Sequence, residues 1–124
     1  MDESGKIKIL FIDDENLICT MAGDVLEFFG FNVETFKDSS QALECFKSNP
    51  RQYDIIVTDQ KMPGMTGYEM LSRISEIRDD IPKILCTGYS EEVDDFKNSL
   101  IGIDAFFLKP YHFEDLIEQI NKLV

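Results

Sequence analysis

Residues 7–15 read IKILFIDDE, an apolar, β-branched run from Ile7 to Ile12 that stops at Asp13, Asp14 and Glu15. The run is too short for a helix and nearly continuous rather than alternating, the pattern of a strand buried on both faces. Four later segments repeat the theme: Asn32–Phe36, Asp54–Thr58 (DIIVT), Lys83–Cys86 (KILC) and Ala105–Leu108 (AFFL). The Asn32 segment is the weakest, diluted by Asn32, Glu34 and Thr35.

Helical periodicity fills the intervals. Ile18, Met21, Ala22, Val25 and Phe29 recur at a 3.6 period and stop at Gly30. Ala42, Leu43 and Phe46 mark a second helix, closed by Asn49-Pro50. Thr66-x-x-Glu69 reads as a capping box opening a third, with Met70, Leu71 and Ile74 inward. Ser90 is placed to cap a fourth, whose first turns carry Glu91, Glu92, Asp94 and Asp95, a solvated acidic start favoured by the helix dipole. His112 to Leu123 forms the fifth, with Phe113, Leu116, Ile117 and Ile120 on one face and His112 at the surface or in the cap. Strict alternation of buried strands and helices predicts a single α/β domain over residues 1–124, a parallel sheet covered on both sides.

The chain has 124 residues, with 12 Lys and Arg against 24 Asp and Glu, a net charge of −12. Folding a chain of this size removes roughly two-thirds of its extended surface from water, enough for a real core. So acidic a surface is repelled by phosphate backbones and anionic lipids, which disfavours direct nucleic-acid binding and favours a divalent cation or a basic partner. No apolar run is long enough to span a bilayer, and the start does not resemble a signal peptide. Cys19, Cys45 and Cys86 form an odd set without CxxC spacing, each in an apolar run. They read as buried, reduced thiols of a cytoplasmic protein.

In open α/β sheets, ligands bind beyond the carboxyl ends of the strands. The first strand ends on Asp13, Asp14 and Glu15, the third on Asp59, the fourth on Thr87 and the fifth on Lys109-Pro110. The second delivers nothing comparable, which suits an edge position. Each residue alone has an ordinary explanation: a helix-start acid, a turn acid, a solvated loop lysine. Together they bring carboxylates, a hydroxyl and an ammonium to one edge. Carboxylates so close either stay partly protonated or share a cation, and hard oxygen donors suit Mg²⁺. A metal, a lysine and a hydroxyl around a carboxylate make a phosphoryl-transfer site in which the carboxylate can be the nucleophile.

From Ile7 to Leu123 the sequence resembles the receiver domain of two-component response regulators. The resemblance rests on Asp13-Asp14 after the first strand and on Asp59 opening D-x-x-M-P-x-M-x-G through Met62, Pro63, Met65 and Gly67. Thr87 after the fourth strand and Lys109-Pro110 after the fifth complete it. It implies a five-stranded (βα)5 flavodoxin-like fold with strand order 2-1-3-4-5. It further implies phosphoryl transfer to Asp59 from a histidine kinase or histidine phosphotransfer domain, and relay to an output domain or protein. Asp13, Asp14, Asp59 and the main-chain carbonyl of Lys61 would bind Mg²⁺ (or Mn²⁺). Lys109 and Thr87 would contact the phosphoryl group, and Phe106 would occupy the aromatic switch position. Lys61 and Tyr89 fall where side chains influence phosphoryl lifetime, here toward slower hydrolysis. The Lys109-Pro110 bond is expected to be cis. Such a domain is a switch, catalysing only its own phosphorylation and dephosphorylation, and either stands alone or belongs to a longer regulator or hybrid kinase.

Two rivals remain. Asp13-x-Glu15 faintly resembles the aspartyl-nucleophile phosphatases of the haloacid dehalogenase type, but the MPxMxG stretch has no place in that scheme. The two readings separate by which aspartate is phosphorylated, Asp59 or Asp13. A receiver-shaped interaction module that never takes phosphate is disfavoured because every required group is present.

Overall fold

The strands form in the order expected, and their sequence on the sheet is β2-β1-β3-β4-β5, all parallel. The computed structural model describes residues 5–124. Its strands are β1 (Lys8–Ile12), β2 (Asn32–Phe36), β3 (Ile55–Asp59), β4 (Lys83–Thr87) and β5 (Ala105–Leu108). Its helices are α1 (Asn16–Phe28), α2 (Ser39–Ser48), α3 (Gly67–Ile77), α4 (Ser90–Lys97) and α5 (Phe113–Leu123). β3 and β4 each run one residue further than their apolar patterns, so Asp59 and Thr87 are the last residues of strands rather than the first of loops. The Lys109-Pro110 peptide is cis. Among the described residues no helix is long and apolar enough to cross a membrane.

Alternation along the central strands divides the core into two layers. Leu10, Ile12, Ile56 and Leu85 face α2 and α3, packing with Leu43, Phe46, Met70, Leu71 and Ile74. Ile9, Phe11, Ile55, Val57 and Ile84 face α1 and α5, packing with Ala22, Leu26, Leu116 and Ile120. β2 lies at an edge and has no fully buried residue. β5, at the other edge, is only partly buried, and its two adjacent phenylalanines part company: Phe106 joins the α2/α3 layer and Phe107 the α1/α5 layer.

Three details of the sequence reading change. In α1 the buried face is Cys19, Ala22 and Leu26, while Met21 and Phe29, expected inward, are exposed. So many apolar side chains surround this helix that periodicity alone leaves its rotation ambiguous. Ser90 is not the cap of α4: Tyr89 holds that position with extended backbone and without a side-chain hydrogen bond, and Ser90 is the first helical residue. His112 does occupy the cap of α5, but likewise without a side-chain bond. Cys45 is half-buried, whereas Cys19 and Cys86 are buried as expected. Elsewhere the end signals act as read. Gly30 terminates α1 at φ +94°, and the Thr66 hydroxyl accepts the Glu69 N–H at 3.2 Å to open α3.

One close approach fixes the site against the scaffold. Gly67 begins α3 directly over the end of β3, donating its N–H to the Gln60 carbonyl at 3.0 Å. A Cβ there would run into the Asp59 carbonyl oxygen and would lie 3.0 Å from its carbon and 3.2 Å from Gln60 Cα. All are backbone atoms that cannot rotate away. Gly67→Ala should therefore destabilise the fold by about 1–3 kcal/mol, the usual range for overpacking, read as a lower denaturation midpoint. An unchanged midpoint would show that the β3–α3 junction yields freely.

Candidate functional site

Each strand that ends inside the sheet hands a polar group to the same edge. Asp13 follows β1, and the chain holds it firmly: its N–H donates to the Phe36 carbonyl at 3.0 Å, and its Oδ1 accepts the Glu15 N–H at 2.9 Å. The Cys19 thiol donates to its carbonyl at 3.0 Å. Asp13 is consequently buried, whereas Asp14 beside it is exposed. Asp59, the last residue of β3, is buried, and the next N–H, of Gln60, bonds the Cys86 carbonyl on β4 at 2.8 Å. Gln60 in turn accepts the Tyr68 N–H on its side-chain oxygen at 2.8 Å, a second tie between this strand end and α3.

Lys109 binds these acids together. Its N–H donates to the Thr87 carbonyl at 2.8 Å, fixing the loop after β5 to the end of β4. Its ammonium lies 2.9 Å from Asp13 Oδ2 and 3.3 Å from Asp59 Oδ2. One carboxylate oxygen from each of Asp13, Asp14 and Asp59 lies within 4.8 Å of the others. Three carboxylates this close form a donor set for a hard divalent cation. Beside them opens a cleft of about 650 Å³ lined by Asp14, Asp59, Lys61, Met62, Tyr89 and Lys109 among others. The Lys61 ammonium stands 6.0 Å from the centre of the Tyr89 ring at the cleft wall, and Tyr89 is exposed.

The charges respond to this packing. Burial pushes the Asp59 carboxyl up to about 6; the Lys109 ammonium opposes the rise, while the negative charges of Asp13 and Asp14 add to it. Burial alone would lower the Lys109 ammonium, but its bond to Asp13 and the charges of Asp13 and Asp59 outweigh that and hold it above its ordinary value. Burial also raises the Cys86 thiol, to about 12, with the Asp59 charge adding, so it stays protonated.

Most residues singled out in the sequence converge here. Asp13, Asp14, Asp59 and Lys109 form one ionic group, and Lys61 and Tyr89 line its cleft. Thr87 stands at the adjoining strand end, but its hydroxyl is turned to Glu92 of α4, at 2.6 Å. Phe106 lies outside the cleft, half-buried against the α2/α3 layer of the core, as are Phe96, Ile101 and Ile103. Glu92 is the residue that sequence reasoning missed: it read as one more solvated acid at a helix start. The available signal was its position on the first turn after a strand-end hydroxyl.

A doubly wound parallel sheet with an acidic, lysine-bridged cleft at the carboxyl ends of β1, β3 and β5 defines a class of signalling domain. The chain belongs to the response regulator receiver domain family, whose model matches residues 9–121. It is 28% identical over 116 residues to the response regulator SaeR of Staphylococcus epidermidis, covering 94% of this chain and 49% of that protein. The match to SaeR of Staphylococcus aureus is similar, at 28% identity, 94% and 50%. The chain thus spans about half the length of these relatives. Among solved structures, a receiver domain protein from Clostridium thermocellum superposes with TM-score 0.86 and 32% identity, covering 94% of this chain and 93% of that one. The response regulator TrrA from Thermotoga maritima, solved in complex with Mg²⁺-BeF, gives TM-score 0.81 and 30% identity over 95% and 99%. The chain is therefore a receiver domain acting as a signalling switch, and the phosphatase and interaction-module readings are not favoured.

The raised Asp59 carboxyl has a consequence for stability. The folded state holds this proton more tightly than the unfolded chain, so the residue's contribution is favourable below the ordinary carboxylate range and is lost as pH rises through about 6. At neutral pH the ionised side chain is a net cost. Asp59→Asn should raise stability near pH 7 by about 1–3 kcal/mol, with the gain shrinking toward about pH 4. Denaturant titrations of both proteins across that range would show it. A variant equally stable or weaker at neutral pH would contradict the assigned direction.

Proposed function

We propose that this domain accepts a phosphoryl group on Asp59 in a Mg²⁺-dependent reaction and relays it as a change of conformation. The observation that carries the reading is the Lys109 ammonium lying between Asp13 and Asp59 where the three aspartates converge. The donor would be a phosphohistidine on a sensor histidine kinase or a histidine phosphotransfer domain. A downstream output domain or protein would read the change. Residues 1–124 would form a single phosphoacceptor unit in the cytoplasm, in keeping with cysteines that remain free thiols.

Asp13, Asp14, Asp59 and the main-chain carbonyl of Lys61 would hold Mg²⁺ (or Mn²⁺), a set of hard oxygen donors suited to that ion. When bound, the metal supplies the charge neutralisation that lets an anionic donor approach a site of net negative charge. The Mg²⁺-BeF complex of the Thermotoga relative supports this assignment. An Asp59 carboxylate oxygen attacks phosphorus; the P–N bond breaks, and the imidazole leaves with the electron pair, so an aspartyl phosphate forms. Lys109 stays within reach of both Asp13 and Asp59 and pairs with the phosphoryl oxygens. The Thr87 hydroxyl turns to one of those oxygens, and the repacking reaches Phe106, which has no hydroxyl and must act by packing alone. Hydrolysis ends the signal when water attacks phosphorus: the bond from phosphorus to the Asp59 oxygen breaks, inorganic phosphate leaves, and the carboxylate is restored. Lys61 and Tyr89 stand at the cleft wall where they restrict that approach, favouring a slow loss. Catalysis is thereby confined to the domain's own phosphorylation and dephosphorylation.

Intact and peptide mass spectrometry after incubation with acetyl phosphate, with and without Mg²⁺, tests the reading. One phosphoryl group on Asp59, dependent on Mg²⁺ and absent from Asp59→Asn, is the expected result. Modification at Asp13 would instead indicate a phosphatase, and no adduct from acetyl phosphate or a phosphohistidine donor would indicate a phosphate-independent module. Lys109→Ala should still be phosphorylated while losing the phosphate-induced shifts of amide signals in α4 and β5. Full retention of those shifts would remove Lys109 from the relay.

A further inference from the structure

Four acids crowd the first turns of α4, and the dipole at a helix start accounts for acids there without further cause. Glu92 departs from that account. Glu91, Asp94 and Asp95 are exposed, but Glu92 is half-buried and its Oε1 accepts the Thr87 hydroxyl at 2.6 Å. The same hydroxyl oxygen receives the Tyr89 N–H at 3.2 Å. A hydroxyl has one proton, so it donates to one acceptor at a time.

We propose that Glu92 is a positioning residue that holds the Thr87 hydroxyl on α4 and competes for its proton with the phosphoryl oxygens on Asp59. The proposal rests on the roles given to Asp59 and Thr87 above and assigns the resting position of the switch to a specific bond. α4 makes such a latch effective because little else secures it. None of its residues is fully buried, and its other anchor is the stack of Phe96 on Tyr68, with ring centres 4.6 Å apart and planes 13° from parallel. When the hydroxyl turns to the phosphoryl group, Glu92 loses its donor. Its carboxylate then faces added negative charge in the cleft. Both changes act in one direction, freeing the first turn of α4 from the end of β4.

The test uses the full chain as wild type, Glu92→Ala, Glu92→Gln, Thr87→Val and the double variant Thr87→Val/Glu92→Ala. Amide NMR signals of α4 are followed with and without phosphorylation, and mass spectrometry reports phosphoryl uptake on Asp59. Without any donor, Glu92→Ala should move the α4 signals along the line that wild type follows on phosphorylation. The phosphorylated-like population should rise about tenfold, the scale of a lost charge-assisted hydrogen bond. Glu92→Gln keeps an oxygen that accepts the hydroxyl and should return most signals to their resting positions. In the Thr87→Val background, adding Glu92→Ala should produce no further movement along that line.

Several results overturn the proposal. One is Glu92→Ala signals that stay at rest, or leave that line, while Asp59 is phosphorylated normally. Another is a Glu92→Ala effect that persists undiminished without the Thr87 hydroxyl. Failure of wild type to take the phosphoryl group on Asp59 overturns the underlying function and the latch with it. Normal uptake with a silent Glu92 removes the latch alone.

Discussion

The Lys109 ammonium is the charge on which this site depends. Three strand ends of a parallel sheet converge, and the sequence puts aspartates on two of them, with Asp13 and Asp59 both withdrawn from water. Two such carboxylates repel each other, and burial raises the cost of ionising either. A single cation 2.9 Å from one and 3.3 Å from the other offsets enough of that cost for the acids to share one edge. The offset is partial, since Asp59 still holds its proton up to about 6. The site is thus built with unmet demand for positive charge, which suits an added divalent cation and, through it, an anionic donor.

Local structure supplies what the ion pairs need. Lys109 can reach both acids because its own N–H is fixed to the Thr87 carbonyl. Asp13 cannot swing into solvent because its side chain, N–H and carbonyl are each engaged. Loops set at strand ends by backbone bonds thereby present side chains with little freedom left, and the entropy of ordering them is met by folding rather than by ligand binding.

Much of this was legible in the sequence. The buried strands announce themselves as short β-branched runs, and the residue that follows each run brings Asp13, Asp59, Thr87 and Lys109 to one edge. The sheet order needed the family resemblance, because alternation alone does not say which strands neighbour one another. The rotation of α1 escaped because apolar residues surround it: Leu17, Met21 and Phe28 are as hydrophobic as the buried Cys19 and Leu26, yet lie exposed. The bond from Thr87 to Glu92 escaped for another reason. A helix-start acid satisfies the dipole wherever it points, and only the turn through Gly88 and Tyr89 brings this one back onto the strand end.

Gly67 gives the two flanks of the cleft unequal stiffness. On one side, α3 begins with its backbone pressed on Asp59 and Gln60, and hydrogen bonds from Gly67 and Tyr68 rivet it to the sheet. On the other, α4 rests on the surface with none of its residues fully enclosed. A force arising in the cleft therefore meets an anvil in one direction and a hinged plate in the other. The fixed wall of the cleft is thus the one where a side chain is missing, and the wall with fewer ties to the sheet is α4.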